Sequence, residues 1–144
     1  MARFFDLDDA NAALPELRAI LTTLRDERTQ LIALRDEFAR QTTPERRASA
    51  PSEPGTGDPA PGAEERRRLR LRMQGVIDQM QAGVARIDEL GVTLREIETG
   101  LIDFPALVSG RQVWLCWRLG EDDVAWWHEL SDGVTGRKPL AELE

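Results

Sequence analysis

The 144-residue chain has one cysteine, one histidine and one lysine, and each scarcity excludes something. With Cys116 alone, no intramolecular disulfide forms, so a secreted disulfide scaffold is ruled out. With His128 alone, the several imidazoles of many zinc sites are missing. Long apolar runs are absent too. The longest, such as Val113-Trp114-Leu115-Cys116-Trp117, fall far short of the roughly 20 residues that span a bilayer. The start, Met1-Ala2-Arg3-Phe4-Phe5-Asp6, has no apolar stretch followed by a cleavage site, and a cytoplasmic location is expected by elimination. Positive charge is in deficit. A net charge of −7 disfavours general attraction to nucleic acid or anionic lipid, both of them polyanions. Eighteen of the nineteen basic residues are arginine, a codon bias that points to a GC-rich bacterial genome.

What is present reads as an α+β protein: a long antiparallel helical hairpin followed by a small antiparallel meander, in one domain covering residues 1–144. Asp8 and Asp9 are good N-cap residues, with Leu7 anchoring the start, and predict a first helix over residues 8–41. Its apolar residues, Leu14, Leu17, Ile20, Leu21, Leu24, Leu31, Leu34 and Phe38, follow a three-four alternation. Pro15 lacks the amide that would bond the Asn11 carbonyl, so a break is expected near it. Residues 42–63 hold five of the eight prolines, three glycines and almost nothing apolar, the composition of a flexible connector.

A second helix is expected over residues 64–90. There Leu69, Met73, Val76, Met80, Gly83, Ile87 and Leu90 recur at alternating four- and three-residue spacing, a heptad seam of the coiled-coil type. Gly83 on that seam admits close approach of the partner backbone, and Gly91 is the expected C-terminal cap. Such a seam also suits a protein partner or a second copy of the chain. The run Arg66-Arg67-Arg68-Leu69-Arg70-Leu71-Arg72 is locally basic, but the hairpin brings it near Asp36 and Glu37, and charge matching between helices is the expected role.

After Gly91 the apolar period changes to two, the signature of strands, through a tryptophan-rich region over residues 92–144. Residues 92–97 read as an extended piece, 101–108 and 111–119 as strands about a Ser109-Gly110 turn, and 124–130 as a returning strand after the Gly120–Asp123 loop. Pro105 cannot donate to a ladder, which predicts an edge position for its strand. Pairing Val108 with Arg111 and Leu119 with Val124 sorts the side chains. Ile102, Phe104, Val113, Leu115, Trp117, Leu119, Val124, Trp126, His128 and Leu130 form the face expected on the helices. The other face collects Asp103, Pro105, Trp114, Cys116, Arg118, Trp127 and Glu129.

Several stretches resemble blocks of a small prokaryotic family, domain of unknown function 2203. They are Phe5-Asp6-Leu7-Asp8-Asp9-Ala10-Asn11-Ala12-Ala13-Leu14-Pro15-Glu16-Leu17, Gly100-Leu101-Ile102-Asp103-Phe104-Pro105, Leu115-Cys116-Trp117-Arg118-Leu119-Gly120-Glu121, Trp126-Trp127-His128 and Gly136-Arg137-Lys138-Pro139. The resemblance implies a prokaryotic origin and no mechanism.

The function expected is a binding or interaction module for a small ligand or a protein partner, with a small enzyme, hydrolase-like or metal-assisted, as the alternative. The candidate ligand-binding residues are Asp103, Trp114, Cys116, Arg118, Trp127 and Glu129, since rings give contact area while charged groups orient a ligand. Asp103 is expected to pair with Arg118. Cys116 and His128 point to opposite faces in this register, so no metal is assigned and no cofactor is named; a mixed Cys, His and carboxylate site stays the alternative, and of the structural and functional readings of His128 the hydrogen-bonded structural one is preferred. A bulge in the Gly120–Asp123 loop would reverse that parity. The segment from Ser131 to Glu144, folding back through Val134, Pro139 and Leu140, competes with solvent for the second face.

Overall fold

A computed structural model describes residues 3–42 and 62–143. The connector predicted at 42–63 lies, from residue 43 to 61, outside the described residues. Two long packed antiparallel helices precede a five-stranded antiparallel sheet, an α+β architecture. Helix α1 spans Leu7–Gln41 and α2 spans Ala63–Glu89. No helix among the described residues is long and apolar enough to cross a membrane.

The cap of α1 is Asp6, whose Oδ1 accepts the Asp9 amide hydrogen at 2.7 Å. Asp8 and Asp9 instead lie in the first turn, where their charge suits the positive end of the dipole. Contrary to the expected break, α1 runs through Pro15 uninterrupted. One missing amide is tolerated because Ala10, Leu14, Leu17, Leu21 and Leu24 are all fully buried along one side, and their burial outweighs a single absent hydrogen bond. At the far end of α2, the Gly91 amide donates to the Asp88 carbonyl and the Val92 amide to the Ile87 carbonyl. Gly91 has φ +81°, and Ile87 and Val92 are both buried. This is a Schellman cap, with its hydrophobic pair across the turn.

The chain divides into two compact units. The first comprises Glu27–Met80 and has a core of Leu34, Leu69 and Val76, with Leu31, Phe38, Met73 and Met80 packed around them. These are the heptad residues of α2 and the apolar face of α1. The second comprises Met1–Asp26 with Gln81–Glu144 and contains the sheet. Within it, a Cβ added at Gly83 would lie 3.1 Å from Leu24 Cδ2, so the glycine does admit a close approach.

The sheet is a simple meander, β1 (Thr93–Glu96), β2 (Leu101–Val108), β3 (Arg111–Arg118), β4 (Trp126–His128) and β5 (Lys138–Pro139), each strand pairing with the next. The β2–β3 hairpin has the expected register, Val108 opposite Arg111 and Asp103 opposite Cys116. Ser109 at φ 52° and Gly110 at φ 78° form the two-residue turn whose twist matches the strands. Strand β2 is not at the edge, because β1 flanks it. That strand, however, reaches only to Asp103, so Pro105 lies past its end and needs no donor there. The Phe5 amide donates to the Pro105 carbonyl at 2.7 Å instead.

The β3–β4 register differs from expectation by one residue. Trp114 faces His128, Leu115 faces Trp127 and Cys116 faces Trp126. Strand β4 holds three residues, and Leu119, expected to pair with Val124, bridges Glu121. The connection is held by side chains of α1: Asn11 Oδ1 accepts the Val124 amide at 2.8 Å, and Arg18 donates to the Asp122 carbonyl, which also accepts Trp117 Nε1–H at 3.2 Å. These long-range bonds fix where β4 begins. Every β4 side chain is thereby reassigned: Trp126 and His128 leave the helix-facing side and Trp127 joins it. Ile102, Phe104, Val113, Leu115 and Trp117 remain there, all buried, with Phe5 edge-on to Phe104 at 5.1 Å. Leu130, expected in that core, is exposed.

Candidate functional site

The second face of the sheet is covered at its centre rather than open. Asp103, Cys116 and His128, on β2, β3 and β4, are 2%, 1% and 2% exposed. The unanticipated register brings them together. Asp103 lies directly across from Cys116, and His128 is diagonal to Cys116 on the same face. A carboxylate oxygen, the thiol sulfur and a ring nitrogen all lie within 4.8 Å of one another.

The hydrogen bonds define this cluster. His128 Nδ1 lies 2.9 Å from the Glu129 carbonyl oxygen, and Nε2 lies 2.9 Å from Asp103 Oδ2. A carbonyl can only accept, so Nδ1 carries hydrogen and Nε2 is the nitrogen turned to the carboxylate. An unprotonated Nε2 and an ionised Oδ2 would set lone pair against lone pair. A proton, or some other positive centre, must therefore sit between them. Arg95 Nε donates to the same Oδ2 at 2.8 Å, while its side chain remains 41% exposed. Asp103 Oδ1 is buried with no hydrogen-bond partner among the described residues. The Cys116 thiol is pushed up to about 12, chiefly by burial and next by the charge of Asp103.

A cavity of about 330 Å³ adjoins the cluster, lined by Arg95, Leu101, Asp103, His128 and residues 130–134. On the same face of the sheet, cations lie over indoles: Arg95 is 4.9 Å from the Trp114 ring centre and Arg137 is 4.6 Å from that of Trp126. Arg137 also pairs with Glu121.

The chain belongs to the DUF2203 family. It matches that family, described as "uncharacterized conserved protein", over residues 3–140. No curated protein and no solved structure matches the chain.

Of the six residues read from sequence, the structure gathers Asp103, Cys116 and Trp114 in this region of the DUF2203 chain. Trp114 is half-buried beneath Arg95. Trp127 is buried on the opposite face, its Nε1–H donating to the Pro139 carbonyl at 3.2 Å with Lys138 5.1 Å from the ring. The C-terminal segment thus covers this ring. Arg118 is exposed and does not pair with Asp103, whose partner is Arg95, and the Arg118 amide donates to Glu121 Oε1 at 2.8 Å. Glu129 pairs with Arg111, and only its backbone carbonyl serves the cluster. Arg95 and His128 are the members that sequence reasoning missed. Arg95 stood in a segment whose pairing had no turn signal. His128 was turned away by the parity assumed for the loop before it.

Proposed function

We propose that the DUF2203 chain is a binding module that takes a small polar ligand into the cavity above Asp103 and His128. One observation carries this reading: Asp103, a buried carboxylate with one oxygen that has no partner among the described residues, lines a cavity large enough for a small molecule. Leaving such an acceptor unsatisfied costs about 1–3 kcal/mol, and more when it is charged, so a ligand that donates to it recovers that free energy on binding. Arg95, half-exposed at the same cavity, supplies the orienting charge.

The enzyme alternative has less support where it depends on a cysteine nucleophile. A nucleophilic cysteine needs a lowered pKa and a free base, whereas Cys116 is raised to about 12 and both nitrogens of His128 are engaged.

The test is a thermal-shift panel of small amines, amides and amidines at millimolar concentration, run on the wild-type chain and on Ser131→Phe, which narrows the cavity mouth. At least one donor compound is expected to raise Tm of the wild type, with that rise lost in the variant. No rise for any compound, or equal rises in both proteins, refutes the reading.

A further inference from the structure

We propose that Asp103, Cys116 and His128 bind a divalent cation of the zinc type, with three protein ligands and a fourth position turned toward the cavity. This rests on reading the cavity floor as a binding site and names the chemical class that the floor itself selects.

The donor set comes first. One sulfur, one imidazole nitrogen and one carboxylate oxygen suit zinc or cobalt, whereas calcium and magnesium demand six or more oxygens. Zinc bonds of about 2.0–2.3 Å at a tetrahedral angle place ligand atoms roughly 3.4–3.7 Å apart. Here a carboxylate oxygen of Asp103, the Cys116 sulfur and a ring nitrogen of His128 already lie within 4.8 Å of one another. Closure needs side-chain shifts of about 1 Å or less, without movement of the strands.

The surroundings come second. Metal-bound histidines almost always donate their other ring nitrogen to a carbonyl or carboxylate, which fixes the ring and makes the coordinating nitrogen more basic. The Glu129 carbonyl at His128 Nδ1 is such a partner, and it turns Nε2 inward. Ligating carboxylates are themselves held by hydrogen bonds. Arg95 holds Oδ2 of Asp103 from the solvent side. Oδ1 is the atom of the cluster without a partner among the described residues, and a cation bound there leaves Arg95 in place on Oδ2.

Charge balances as well. A dication replaces the thiol proton of Cys116 and the proton shared by His128 and Asp103, and both leave to solvent. Thiolate and carboxylate then neutralise the ion, which leaves Arg95 and Asp132 as the charged side chains lining the cavity.

Cobalt(II) is the probe. The full chain, stripped with a chelator and then titrated with cobalt, is expected to bind one equivalent. It should show the near-ultraviolet charge-transfer band of a cobalt–thiolate bond and the intense visible bands of four-coordinate cobalt, both lost when zinc is added. Cys116→Ser, checked for native circular dichroism, should lose the charge-transfer band, and His128→Gln should weaken binding by more than about tenfold, the least expected even for an outer-shell partner. If either variant fails to fold, the wild-type spectrum still decides. Absence of stoichiometric binding, or binding without the thiolate band, overturns the proposal, as does a band unchanged in Cys116→Ser. Loss of the metal with the compound panel still positive defeats the metal site alone. A cobalt–thiolate spectrum with a negative panel defeats the donor-ligand reading and leaves the metal site standing.

Discussion

Replacing Asp103 by asparagine, His128 by glutamine, and both together tests whether the centre of the site is an ion pair or merely two polar side chains in contact. The two residues are each 2% exposed, and Nε2 and Oδ2 are 2.9 Å apart. Removing one partner of a buried pair strands the other, at about 3–5 kcal/mol. In Asp103→Asn the stranded group is His128, still pinned at Nδ1 by the Glu129 carbonyl. In His128→Gln it is the Asp103 carboxylate, which keeps Arg95 and therefore loses less. Asp103→Asn is expected to lose about 3–5 kcal/mol in urea unfolding with chelator present, and His128→Gln less than that. The double variant should lose less than the sum by roughly 2–3 kcal/mol, the coupling of residues in direct contact. Arg95→Gln is the internal control: its side chain is 41% exposed, so its loss should stay within about 1 kcal/mol. Additivity within about 0.5 kcal/mol, or an Arg95→Gln loss equal to that of Asp103→Asn, would refute the reasoning.

Two further outcomes follow from neighbouring residues. The raised thiol of Cys116 keeps its proton in the folded chain while the unfolded thiol ionises near pH 8.5, so the unfolded state binds fewer protons and stability falls as pH rises toward about 12. Between pH 8 and pH 10 the wild type should lose roughly 1–2 kcal/mol more than Cys116→Ala in urea titrations, and equal losses would contradict the assignment. At Gly83, where an added Cβ would lie 3.1 Å from Leu24 Cδ2 and 3.3 Å from its Cγ, Gly83→Leu should lower stability by about 1–3 kcal/mol despite a gain of about 1 in helix propensity. A higher Tm for this variant would show that the helices do not approach closely there.

The parts of the fold that sequence made legible are those that local rules determine. The heptad residues of α2 declare their own buried side. The Ser109-Gly110 pair declares a two-residue turn, from which the β2–β3 register and the Asp103–Cys116 juxtaposition follow without further information. The β3–β4 register was not legible in that way. It depends on Asn11 and Arg18, more than a hundred residues away, which hold Val124 and Asp122 and so decide which residue starts β4. Side chains alternate along a strand, so this single residue decided whether His128 or Trp127 joined Asp103 and Cys116. The partner of Asp103 was hidden for a related reason. Arg118 is nearer to hand in the hairpin, but Arg95 arrives from β1, at the bulge between Leu94 and Glu96 and two residues beyond Thr93, which is the residue opposite Asp103. Pro15 misled in the opposite direction, because a local rule about one missing amide was overridden by five buried side chains around it.

The prolines of the sheet bear on how this protein can meet others. Past the end of β1, the side of β2 that would receive another strand presents Pro105, which has no amide hydrogen, and a carbonyl already taken by Phe5. At the opposite margin, β5 is two residues long and one of them is Pro139. The remaining margin, β1, is four residues long and carries Arg95 and Glu96. Short, charged and proline-bearing margins resist pairing with a foreign strand, so this sheet is poorly suited to being lengthened by a second copy or by an extended peptide. Contact with the described strands would then draw its affinity from side chains rather than from a shared ladder of backbone hydrogen bonds.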